Sequence, residues 1–181
     1  MEGYSGKLTS SPVAFGAVKK HPVSEDAEPL STDFLDFIIE LNKHHVDFVL
    51  IGGYAMGFHG VIRATGDIDF LFRRSRPNVK RLCAAMEEFG APLEVIDETA
   101  LMTPDIVTQF GIPPNRIDLL NTIDGVSFRQ AWTGSASTTI QGHKLRVIGL
   151  TELKTNKTAT GRIRDADDVR RLQARKPLNR E

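Results

Sequence analysis

An α+β fold built on a mixed central β-sheet flanked by helices, with further helices at the C-terminal end, is predicted by three observations. Apolar runs of strand length stand at 46–51, 67–72 and 116–120. Segments with 3.6-residue apolar spacing lie among them, at 34–41 and 79–86. The strands and helices do not follow the regular βαβ alternation of a doubly wound sheet.

The elements follow in order. Residues 1–30 are rich in Ser, Gly, Pro and small residues without sustained periodicity, and read as a flexible arm. Ser31-Thr32-Asp33 offers an N-cap to a helix carrying Phe34, Leu35, Phe37, Ile38 and Leu41, which ends near His44-His45. The run 46–51 is a buried strand, Gly52-Gly53 a turn, and 54–59 a short helix closed by Gly60. Asp67 to Phe72 is the second strand. Pro77-Asn78 opens a helix whose positions Val79, Leu82, Ala85 and Met86 share one face, ending at Gly90. Between 91 and 105 a strand is expected around 93–96 and a helical turn after Asp97. Strands at 106–110 and 116–120 are joined by Gly111-Ile112-Pro113-Pro114-Asn115. A short helix at 126–132, a hairpin of 137–140 with 145–148 turning at 141–144, and helices at 150–158 and 165–173 complete the chain.

With 181 residues the chain is long enough for one full core, assigned to 31–175. A single cysteine, Cys83, excludes an internal disulfide framework and a multi-cysteine zinc site. No run approaches the roughly 18 apolar residues of a membrane span, and 13–18, short and followed by Lys19-Lys20, does not read as a signal peptide. The expected compartment is the cytoplasm, with no membrane partner. Net charge is zero, but it is unevenly placed: residues 1–143 hold 12 Lys/Arg against 18 Asp/Glu, and residues 144–181 hold 11 against 5. Such a basic pole is either a solvated helix face or a surface for the phosphates of a polyanion.

Chemistry concentrates at Gly52-Gly53 and at Asp67-Ile68-Asp69. Two carboxylates two residues apart on a strand point the same way, with Cα atoms about 6.5 Å apart, and can share one or two hard cations such as Mg²⁺ or Mn²⁺. The glycine pair lets backbone N–H groups approach phosphate at a helix start. Together they suggest phosphoryl or nucleotidyl transfer. Asp118, a charge inside the apolar strand 116–120, is the candidate third carboxylate, as metal ligand or general base; a buried ion pair with Arg116 or Arg129 is the other reading. The glycine spacing fits neither a dinucleotide fingerprint nor a P-loop.

Four segments in this order resemble the nucleotidyltransferase superfamily of polymerase-beta-like fold: Ile51-Gly52-Gly53-Tyr54-Ala55, Arg63-Ala64-Thr65-Gly66-Asp67-Ile68-Asp69, Arg116-Ile117-Asp118-Leu119-Leu120, and 157–168. Within it, the small AbiEii-toxin-like stand-alone proteins are the most similar. The resemblance implies that Gly52 and Gly53 bind the triphosphate of an NTP such as ATP, and that Asp67 and Asp69 hold Mg²⁺. It also implies that Asp118 completes the metal site or acts as base, that Lys157 contacts phosphate, and that Asp165 and Asp168 orient Lys157 or the nucleotide. The superfamily's first motif often has Ser after the glycine; here Gly53 and Tyr54 follow, so a hydroxyl is missing or comes from Thr65. Arg63 either pairs with Asp67 or contacts phosphate. The implied activity is transfer of a nucleoside monophosphate to a hydroxyl or phosphate acceptor, with RNA such as tRNA as acceptor and an antitoxin protein as partner. The alternatives are an inactive nucleotide- or RNA-binding protein of the same fold, and an enzyme acting on a small molecule such as an aminoglycoside.

Other readings of the same residues are bland. Gly52-Gly53 could be a plain tight turn, Lys157 a solvated lysine, Asp165 an N-cap, and the run from Arg73 to Arg81 a solvated helix start. His44, His45, His59 and His143 show no ligand-spaced carboxylate or cysteine and are expected to be structural or exposed, and Trp132 is expected in the core.

Overall fold

A computed structural model describes residues 30–174. The expected arm lies outside the described residues except for Leu30, which is buried against the core. The first helix, α1 (Thr32–Lys43), starts where the side chain of Ser31 accepts the Phe34 N–H at 3.4 Å, and it buries Phe34, Phe37, Ile38 and Leu41. Strand β1 (Phe48–Ile51) is buried throughout and runs directly into helix α2 (Gly52–Phe58). The glycine pair is therefore the first turn of that helix and not a separate loop. Strand β2 (Asp67–Phe72) follows, then helix α3 (Arg76–Phe89), closed by Gly90 at φ 86°.

Where a strand is expected at 93–96, a 3₁₀ turn (Leu93–Val95) stands instead. Pro92 precedes it and Leu93 is 80 % exposed, while Val95 and Ile96 pack partly buried against the core, so the apolar residues do not form one strand face. The expected helical turn is α4 (Glu98–Met102), capped by the Asp97 side chain. Strands β3 (Val107–Phe110) and β4 (Arg116–Leu120) come next. Helix α5 (Phe128–Gly134) begins two residues later than its apolar pattern suggests, because Ser127 and Gln130 form a reciprocal capping box. The hairpin of β5 (Ala136–Ile140) and β6 (His143–Val147) turns on Gln141 and Gly142, both with positive φ. Helices α6 (Leu150–Ala159) and α7 (Ile163–Ala174) end the described chain. No helix among the described residues is long and apolar enough to cross a membrane.

The six strands form one mixed sheet in the order β3-β4-β2-β1-β6-β5. β1 lies antiparallel to β2 and parallel to β6, and β2 lies parallel to β4. Strand alternation sorts the side chains. Ile68, Phe70 and Phe72 face α1, where Phe37 meets Phe70, Phe89 and Phe110 ring to ring at 5.0–5.8 Å. Asp67 and Asp69 therefore face away from that aromatic core. Buried Asn78 joins α3 to the sheet: its amide donates to the carbonyls of Asp47 and Arg73, and its Oδ1 accepts the Asp47 N–H at 2.7 Å.

Candidate functional site

Antiparallel pairing places Ile51 opposite Asp69, so the residues that follow Ile51, Gly52 and Gly53, arrive beside the Asp69 carboxylate. That approach requires glycine. Gly52 has φ +64°, and a Cβ there would lie 1.9 Å from Asp69 Oδ2. The Gly53 N–H hydrogen-bonds Asp69. A side chain at 53 would collide with Thr65, whose Oγ1 and Cβ lie 2.8 and 2.9 Å from the position of that Cβ. Thr65 thus fills the space that a serine of the usual first motif would enter. Its hydroxyl donates to Asp67 Oδ1 at 2.6 Å.

Parallel pairing of β2 with β4 sets Asp69 opposite Asp118 and Asp67 opposite Arg116. All three predicted carboxylates therefore meet on one face, together with Arg116. The guanidinium donates from Nε to Asp118 Oδ1 at 2.8 Å, and from Nη2 to Asp118 Oδ2 at 3.0 Å and to Asp67 Oδ2 at 2.5 Å. Gln109, opposite Asp118 on β3, donates to Asp118 Oδ2 at 2.8 Å. Asp118 is thus buried and ion-paired, as one of its sequence readings had it, with Arg116 as the partner and not Arg129. Burial, followed by the charges of Asp67 and Asp118, pushes the Asp69 carboxyl up to about 6, against the opposing pull of the Gly53 N–H and Lys157. A surplus of buried negative charge on hard oxygen ligands fits a divalent cation at Asp67 and Asp69.

Asp67 and Asp69, but not Asp118, line a cleft of about 410 Å³ whose walls also include Gly52, Gly53, Arg63, Lys157 and Asp165. Lys157 of α6 is 8 % exposed and is not a solvated lysine. Its ammonium donates to Asp165 Oδ1 at 2.5 Å and pairs with Asp168 Oδ2 at 3.0 Å. Burial lowers its proton affinity, but the hydrogen bonds to Asp165 and Asp168 outweigh this and leave the pKa raised. Asp165 is the third residue of α7 and not its N-cap; it also accepts the Thr160 hydroxyl at 2.6 Å. Its burial favours the neutral form, yet the bonds from Lys157 and Thr160 hold its carboxyl below the usual range. Arg63 pairs with Asp168, Nε to Oδ1 3.7 Å, rather than with Asp67. Its Nε and Nη1 are buried without a hydrogen-bond partner among the described residues, which leaves donors for an anion.

Sequence reasoning did not single out Arg162, Arg164, Asp105, Thr122, Asp124 or Asn156, all of which line the cleft. A signal for the two arginines existed: they flank the start of α7, the end of a helix where cations are disfavoured by the dipole. The run from Arg73 to Arg81 does not line the cleft; Arg73 and Arg81 pair with Asp47 at 3.0 and 3.7 Å. His59 is buried, with Nε2 2.7 Å from the Ile148 carbonyl. Trp132 is only half-buried, stacked on Phe128 and covered by the Arg146 guanidinium at 4.2 Å. The expectation that His44 lacks a ligand-spaced carboxylate is wrong. Glu40, four residues earlier on α1, and Glu88 of α3 lie beside it, and Lys43 pairs with both glutamates.

No protein-family model matches the chain, and no curated protein sequence matches it significantly. Solved structures do. The antibiotic-resistance factor ANT(2″)-Ia in solution aligns with TM-score 0.54 at 16 % identity, over 78 % of this chain and 80 % of that one. A crystal structure of ANT(2″)-Ia in complex with adenylyl-2″-tobramycin aligns with TM-score 0.51 at 15 % identity, over 79 % and 88 %. At this identity the likeness establishes the nucleotidyltransferase fold.

Proposed function

We propose that the chain is a divalent-cation-dependent nucleotidyltransferase that moves a nucleoside monophosphate from an NTP to a hydroxyl group of a small molecule, with release of pyrophosphate. One observation carries the reading. Paired carboxylates that open on a cleft, Asp67 and Asp69, stand at the foot of a glycine-started helix, with Arg63, Lys157, Arg162 and Arg164 around the same cleft. In-line displacement at phosphorus asks the protein for positioning and charge neutralisation more than for covalent chemistry. A Mg²⁺ or Mn²⁺ ion on Asp67 and Asp69 would polarise the phosphoryl oxygens and neutralise charge on the pyrophosphate. The Gly53 N–H orients Asp69, Thr65 holds Asp67, and Asp165 with Asp168 fix Lys157, which keeps one of its three donors for phosphate.

The cleft itself supports a small-molecule acceptor. Its size falls in the range of about 300–1,000 Å³ typical of small-molecule sites. Asp105 and Asp124 add negative charge to its wall, which suits a neutral or amine-bearing polyol better than the backbone of RNA. The two structural neighbours are of an antibiotic-resistance factor, one of them with adenylylated tobramycin, which favours the small-molecule reading over tRNA modification by a toxin with an antitoxin partner.

The test is incubation with Mg²⁺, each α-labelled NTP, and either a panel of polyhydroxylated amines or total RNA, following pyrophosphate and label. Label on a small molecule, absent with the Asp67→Asn/Asp69→Asn double variant, is the expected result. Pyrophosphate release equal in the double variant would refute the mechanism, and label on RNA alone would refute the acceptor.

A further inference from the structure

Of the three carboxylates in this site, Asp67 and Asp118 share one guanidinium, and they do not share it equally. A carboxylate offers about four lone-pair sites. On Asp118 three are filled: Oδ1 by Arg116 Nε, Oδ2 by Arg116 Nη2 and by Gln109 Nε2. Asp118 is 6 % exposed and is absent from the cleft lining, whereas Asp67 and Asp69 belong to it. Asp67 accepts one donor on each oxygen, from Thr65 and from Arg116, and so keeps lone pairs for a cation.

We infer that Arg116 stands in for a second divalent cation: the site takes one divalent ion, on Asp67 and Asp69, and Asp118 anchors Arg116 instead of binding metal. This rests on the nucleotidyltransferase reading above and deepens it. In a two-metal site, ions about 3.5–4 Å apart are bridged by shared ligands. Here the position between Asp67 and Asp118 is already bridged by a cation that never loses its proton and whose planar fork matches Asp118 bidentately. Charge balance agrees. Three carboxylates against one guanidinium leave a surplus of two negative charges, the charge of one divalent ion. The placement follows from register, since Arg116 lies opposite Asp67 and two residues before Asp118 on the same strand face. Arg116 is thus a positioning residue that supplies fixed charge.

The experiment counts ions. The full chain, with a nucleotide analogue that cannot lose pyrophosphate, is titrated with Mn²⁺ and followed by equilibrium dialysis and electron paramagnetic resonance. The expected result is one Mn²⁺ per chain with an uncoupled six-line spectrum. Arg116→Met is expected to admit a second ion, with the spectrum broadened by spin coupling at close approach, and Asp118→Asn to leave the count at one. A coupled pair in the unsubstituted protein, or loss of the ion in Asp118→Asn, overturns the assignment of Arg116 while leaving the nucleotidyltransferase reading intact. Absence of both Mn²⁺ and nucleotide binding overturns both. Should Arg116→Met fail to fold, the unsubstituted protein and Asp118→Asn decide.

Discussion

Replacing Asp69 by Asn is expected to stabilise the metal-free protein at neutral pH while removing its activity. The Asp69 carboxyl titrates at about 6 in the folded chain against an ordinary 3.8, chiefly because it is buried beside Asp67 and Asp118. Between those two values the folded chain binds a proton that the unfolded chain has released. The stabilising effect of that proton is full at the acid end and is lost as pH rises through 6. A shift of about two units corresponds to about 3 kcal/mol. Asn is neutral at every pH and carries no such loss. The advantage of Asp69→Asn over the unsubstituted chain should therefore be near its minimum at pH 4, grow between pH 4 and 6.5, and level off above, gaining about 3 kcal/mol. Urea unfolding in the presence of a chelator, at half-unit pH intervals, measures it. Mg²⁺ added at pH 8 should close part of the gap by replacing the lost proton in the unsubstituted chain only. A stability difference that stays flat from pH 4 to 8 would refute the assignment of a burial-raised carboxylate at this position.

Two further substitutions test how the cleft is built. Lys157→Met leaves Asp165 and Asp168 buried without their ammonium and should cost about 3–5 kcal/mol at neutral pH, read by urea unfolding; a change under 1 kcal/mol would show that the pair is solvated. Gly53→Ser, which restores the hydroxyl of the usual first motif, should instead destabilise by about 1–3 kcal/mol through its clash with Thr65. Combining it with Thr65→Gly, which removes both the Oγ1 and the Cβ that the new side chain would meet at 2.8 and 2.9 Å, should recover part of that loss in thermal melts.

The parts of the fold legible in the sequence are those that local pattern controls. β2 is found at 67–72 because its apolar run ends in a charged segment, Arg73-Arg74, and α1 and α3 because cap and period agree. The segment 93–96 differs from its expected strand because Leu93 is exposed and only Val95 and Ile96 pack, partly buried, against the core. Asp67 and Asp69 were legible from spacing alone. The roles of Arg116 and Arg63 were not, because each depends on which strand or helix lies next to it: Arg116 reaches Asp67 only through the β2–β4 register, and Arg63 meets Asp168 across about a hundred residues of chain. Glu40 beside His44 was within reach of the helical i,i+4 rule and was overlooked.

The contact between Arg63 and Asp168, reinforced by Arg171 Nη2 donating to the Ile62 carbonyl at 3.1 Å, fastens the last helix to the segment just before Thr65 and Asp67. During synthesis the chain is made from its N-terminus at about 5–20 residues per second. β1, β2 and β4 can pair once residue 120 has emerged, bringing the three carboxylates together around Arg116. The counter-wall, with Lys157 and its two aspartates, does not exist until residue 168 has followed. On the ribosome, the carboxylate half of the cleft is therefore complete some fifty residues before the half that would meet a nucleotide's phosphates. Until then, Arg116 is the cation that pairs with these carboxylates, and Lys157 has yet to join them.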